Sequence, residues 1–111
     1  MLYNPQAQYV QRGEAIDYKN TSGSDVKGNS VVPLTNRIGV AGCDIPVGGT
    51  GSLHVIGVFD LPATSTEAYT VGQAVYWKEN SITSEAAGAI PAGWVVDAKA
   101  TAGTRVKVKI G

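Results

Sequence analysis

The chain has 111 residues, of which 43% are hydrophobic and 16% charged, and its formal net charge is zero. This balance fits one globular domain with a modest core, and it excludes both a disordered chain and a strongly basic nucleic-acid binder. A single cysteine and a single histidine exclude an intrachain disulfide and leave no basis for a zinc site of typical ligands.

In chain order, residues 1–13 are polar, with Tyr3 and Tyr9 set among asparagine and glutamines. Pro5 opposes an early helix, so the segment is expected to be an extended N-terminal arm. A β domain is expected over 14–111. EAIDY (14–18) alternates weakly and predicts a short strand. KNTSGSD (19–25) is a loop by composition. SVVPL predicts a strand that Pro33 confines to an edge or an end. RIGVAG (37–42) predicts another.

DIPVGGTG is a turn region, and its glycines resemble a phosphate cradle. That motif needs a lysine and a hydroxyl after its last glycine, and a helix to follow. Here Gly51 precedes Ser52 and Leu53, and a β-branched run follows. The stretch reads as a tight turn before a strand.

Residues 52–60 predict the longest apolar strand. Leu53, Val55 and Phe59 face one way and Ile56 and Val58 the other, which places it near the middle of the fold. LPATSTEAYT is a loop. VGQAVYWKENSIT predicts a hairpin, Ala74–Trp77 and Ser81–Thr83 around a KEN turn. SEAAGAIPAG is expected to be a loop and Trp94–Lys99 a strand. In Arg105–Ile110, Val106, Val108 and Ile110 alternate with Arg105, Lys107 and Lys109, the period of a half-buried strand. The sum is about seven or eight short strands. The fold class is all-β, a small single-domain sandwich or barrel.

Nothing in this pattern carries catalysis. Asp60, Glu67 and Glu85 are scattered acids, and Ser52 is not in a nucleophile elbow. Cys43 is expected to be a small buried hydrophobe, and His54 a strand residue. The Arg105, Lys107 and Lys109 stripe reads as a solvated face, because Trp94 is not evidently beside it. No segment approaches the apolar length of a membrane-spanning helix. The start MLYNPQAQYVQRGE lacks a basic region followed by an apolar run, so synthesis in the cytoplasm is expected.

Read together, QRGEAIDY, VKGNSVV, RIGVAGCDIPVGGTGSLHVIGVFDLP, YTVGQAVYW and GTRVKVKI form a specific succession. It resembles the capsid cement, or capsid decoration, proteins of tailed phages and prophages, over about residues 9–110. Some members of that family are described as RecA/RadA-type recombinases. This chain lacks a Walker A lysine and any alternation of strands and helices, so that description does not fit it. It departs from the family pattern at Ile90-Pro91-Ala92-Gly93-Trp94, where relatives commonly carry an isoleucine-glycine pair.

The resemblance implies a structural head protein that binds the outside of an expanded icosahedral shell and bridges neighbouring capsid subunits. It implies the major capsid protein as partner and a homotrimer near local threefold axes. It also implies a place on the virion surface after assembly in the host bacterial cytoplasm. On this reading the arm residues Tyr3, Tyr9 and Arg12 contact the capsid. No enzyme activity, cofactor, metal, membrane or specific nucleic acid is expected. The alternative is a β-rich binding module of another phage component that recognises a host-surface glycan, with Trp77 or Trp94 against the sugar. Core or trimer-interface packing is the plainer role for those tryptophans.

Overall fold

A computed structural model describes residues 6–111 of the chain. The described residues form nine strands and no helix. β1 (Ala15–Lys19), β2 (Val31–Pro33), β3 (Ile38–Ala41) and β4 (Thr50–His54) make one antiparallel sheet in the order β1-β4-β3-β2. β5 (Gly57–Pro62), β6 (Ala74–Lys78), β7 (Ser81–Thr83), β8 (Ile90–Val95) and β9 (Arg105–Ile110) make the other, in the order β5-β9-β8-β6-β7.

The five-stranded sheet curls on itself. Ala63, just past β5, makes a parallel bridge to Ile82 of β7. First and last strands therefore meet at one end, giving a partly closed barrel. The barrel interior holds Leu61, Val75, Trp77, Ile82, Val95, Val106, Val108 and Ile110. Ile38 and Val40 of β3 join that cluster, so the smaller sheet lies against the barrel. Its other side buries Val32, Ala41, Ile45 and Leu53 in a second cluster. β3 is thus covered on both faces, and its four residues are all buried.

The fold class expected from the sequence is correct, and two strand assignments need revision. The run 52–60 is not one strand. β4 ends at His54 and β5 begins at Gly57, in different sheets. Gly57 has φ 145°, a region open to glycine and closed to most side chains, and the chain turns there from one sheet to the next. This split accounts for the ninth strand. It also leaves β5 at a sheet edge rather than in the middle, with Val58 56% exposed.

The second revision is β8, which spans Ile90–Val95 and not Trp94–Lys99. Pro91 argues against a strand by sequence. It is tolerated because β9 pairs only with Trp94 and Val95, leaving the start of β8 with a single neighbour. The register against β6 slips there. Val75 faces Gly93 and Tyr76 faces Pro91, so Ala92 is an extra residue in a bulge. Pro33 lies in β2, an edge strand, as its missing N–H requires.

Candidate functional site

The glycine-rich turn is built from the inside. Asn20 is fully buried, and its Nδ2 donates to the carbonyls of Ser24 and Ile45 at 2.7 and 2.9 Å. Its main chain accepts from Gly48 N (2.9 Å) and donates to Gly49 O (2.9 Å), while Gly49 N donates to Pro46 O (2.8 Å). The amides of Gly48 and Gly49 are spent within the loop, so they cannot cradle a phosphate. A Cβ at Gly51 would come within 2.5 Å of Ile45. That glycine answers a packing need and not a ligand.

A second polar knot fixes the loop between β5 and β6. Tyr69 is buried, and its hydroxyl donates to Glu67 Oε1 at 2.7 Å. The same carboxylate accepts from Ser84 N (2.9 Å), Ser84 Oγ (3.0 Å) and Thr83 Oγ1 (3.3 Å). Partial burial by itself pushes the Glu67 carboxyl up. The hydrogen bonds from Tyr69, Ser84 and Thr83 outweigh it and hold the group below the ordinary glutamate value. Burial first, and then the bond and charge of Glu67, push the Tyr69 phenol well above its ordinary value. This knot is structural. Its carboxylate is fully committed to donors and offers no free base.

Among the described residues no group of three or more His, Cys, Asp or Glu is placed to hold a metal ion. His54 is exposed on β4, its ring 6.3 Å from that of Phe59. Cys43 is exposed, contrary to the buried position expected for it. It lies in the turn between β3 and β4, where Asp44 accepts from Gly28 N at 2.7 Å and holds the turn at the surface.

The outer face of the barrel carries the basic stripe. Arg105 pairs with Asp60 (3.2 Å) and Lys107 with Asp97 (3.5 Å). Trp94 stands directly opposite Lys109, and Val58 opposes Lys109 from the other side. Sequence alone does not place Trp94 beside the lysines; the β8 register brings it beside Lys109. Val58 and Trp94 are exposed apolar residues on this face. Trp77, in contrast, is part of the barrel core.

The arm is the most exposed part of the described chain. Residues 6–13 enter no strand, and Tyr9 and Val10 are 81% and 85% exposed. Arg12 is exposed as well, and neither Tyr9 nor Arg12 joins a core cluster. Tyr3 lies outside the described residues. Val10 was not singled out by sequence, although it is an apolar side chain in a polar run. The arm ends where Glu14 O accepts from Val55 N at 2.9 Å, beside the junction of β4 and β5.

A search of protein-family models matches residues 10–110 to the phage cement protein family. No curated protein and no solved structure matches the chain. The match runs from Val10 on the arm through the last strand of the barrel, and thus takes in both sheets. The chain belongs to the phage cement protein family, and its role is a structural one at a phage capsid.

Proposed function

We propose that this protein binds the outer surface of the capsid shell, bridges neighbouring copies of the major capsid protein and stabilises the expanded shell. The observation that carries this reading is the family match over residues 10–110. In this proposal the chain divides into an arm, residues 1–13, and a β domain, residues 14–111. Tyr3, Tyr9 and Arg12 of the arm contact the capsid. The exposure of Tyr9 and Val10 supports it, since a polar segment with spaced apolar side chains suits addition to a partner's sheet edge.

A clamp of this kind acts without catalysis and without a cofactor. It needs a rigid small domain and many identical sites. Binding only the expanded shell favours that state by mass action. The protein is made in the host cytoplasm and resides on the virion as a homotrimer. Exposed Val58 and Trp94 on the barrel support association, because a neighbour would remove them from water.

The test is electron microscopy of expanded shells with and without added protein. Extra density over the outer surface, grouped in threes, and shells that survive a higher temperature are expected. Unchanged shells after saturation with the protein would overturn the proposal.

A further inference from the structure

The barrel closes at one end only, and the open seam forms a cleft. From the bridge at Ala63 and Ile82, β5 and the β6–β7 hairpin diverge. The cleft between them has a volume of about 430 Å³, inside the range of small-ligand sites. Asp60 and Arg105 line one wall, Asn80 lies across from them, Asn29 approaches from the smaller sheet and Trp77 contributes from the core.

Three features make this more than a seam. First, both asparagines are held at left-handed backbone positions, Asn29 at φ 69° and Asn80 at φ 63°. Asn80 belongs to the tight turn between β6 and β7, and such turns fix a side chain's origin closely. Their exposed amides each offer a donor and an acceptor. Second, the Asp60–Arg105 pair is about half exposed on each side. An ion pair in that setting contributes little stability, so both groups remain available to a ligand. Third, Trp77 is 8% exposed and lines the cleft, an aromatic side chain of the kind that packs against the apolar face of a sugar ring.

Two amides, a carboxylate, a guanidinium and an aromatic side chain around a shallow opening of zero net charge match a polyol. Vicinal hydroxyls both donate and accept, as amides do. The balanced Asp60–Arg105 pair favours a neutral ligand over a phosphate or a cation. We propose that this cleft binds a neutral sugar unit of a polysaccharide. One such site binds weakly. Many copies on one shell would bind a polysaccharide surface firmly, and that last step rests on the capsid role proposed above.

The test uses the full chain, labelled with nitrogen-15, titrated with methyl glycosides of glucose, galactose, mannose and N-acetylglucosamine. At least one is expected to shift the Trp77 indole and the Asn29 and Asn80 amide resonances together, with Kd on the order of 1 mM. Asn29→Gly and Asn80→Gly keep the left-handed backbone and remove only the amide. Each should retain the native spectrum and weaken binding by about fivefold, the worth of one net hydrogen bond. The proposal is overturned if no glycoside moves these resonances at about 50 mM, or if affinity is unchanged in both variants. It is also overturned if a peptide of residues 6–13 moves them and no glycoside does. Shell occupancy of the same variants, measured separately, shows whether the capsid role stands or falls independently.

Discussion

Tyr69 and Lys99 hold each other by main chain and side chain together. Tyr69 N donates to Lys99 O at 3.0 Å and Lys99 N to Tyr69 O at 3.1 Å, an isolated antiparallel bridge. The Lys99 ammonium lies 5.1 Å from the centre of the Tyr69 ring, a cation–π contact. It also donates to the carbonyls of Glu67, Ala100 and Thr101. A buried lysine is thus satisfied by carbonyl oxygens and an aromatic face, and it ties the loop after β5 to the loop before β9.

Replacing Lys99 by methionine keeps the stem and removes the ammonium. Three carbonyls then lose a donor in a partly dry site. Lys99→Met should cost about 2–3 kcal/mol, read as a lowered urea midpoint at unchanged slope. A cost below about 0.5 kcal/mol would mean that desolvation of the charge cancels its bonds.

Glu67 makes stability depend on acid. Its folded value lies below the ordinary one, so the unfolded chain binds the proton more tightly. The contribution is present above the ordinary glutamate value and is lost as pH falls through the lower, folded one. Tyr69 works at the other end. Its folded value is raised, so its contribution is present below the ordinary tyrosine value and declines as pH rises beyond it. Glu67→Ala should lower stability at neutral pH by about 2–3 kcal/mol, since the Thr83 and Ser84 donors lose the carboxylate and the Tyr69 hydroxyl keeps only the Ile82 carbonyl. The gap between variant and parent should shrink in melts below pH 4.5, the ordinary glutamate value. A gap that stays constant with pH would refute the assignment.

Gly93 allows no side chain. A Cβ there would lie 2.0 Å from Lys109 O, and φ is 153°. The clash is with main chain of β9, which cannot swing aside. Gly93→Ala should cost at least about 3 kcal/mol. Gly48→Ala is the control, since a Cβ there meets nothing within 4 Å. Its positive φ of 78° limits the expected cost to about 1 kcal/mol. Equal melting points for the two variants would remove the steric argument.

Sequence made some of this fold legible and hid the rest for identifiable reasons. Val106, Val108 and Ile110 advertise a strand because alternation is a local property. Pro33 marks an edge because its missing N–H acts locally too. The break at Gly57 was hidden because both flanking segments are apolar, and only the change of sheet separates them. β8 was hidden because Pro91 signals a loop unless one knows that β9 stops short of it. Lys99 reads as solvated in any alternating pattern, and its carbonyl cage is assembled from residues distant in sequence. The cleft beside Trp77 draws on the loop before β2, on β5, on the β6–β7 hairpin and on β9. Such convergence belongs to topology, and no window of sequence contains it.

The arm separates a clamp from a passenger. Residues 6–13 enter no strand, and among the described residues the first main-chain hydrogen bond to the domain joins Val55 N to Glu14 O. β1 starts at Ala15 and pairs with β4 over its whole length. Deleting residues 1–12 removes neither, so the melting temperature should change by only a few degrees. Ordering an arm costs about 1–2 kcal/mol per residue of backbone entropy. Contacts on the shell must exceed that cost, and for Tyr9 and Val10 they would come from burying side chains that are now exposed. The truncated protein should therefore lose at least tenfold in affinity for expanded shells, about 1.4 kcal/mol. Tyr9→Ala and Arg12→Ala should each account for part of that loss. Melting curves set beside shell occupancy decide the matter. Full occupancy after truncation would move the capsid contact to the barrel face around Val58 and Trp94. A collapsed melt would place the arm within the domain's own packing.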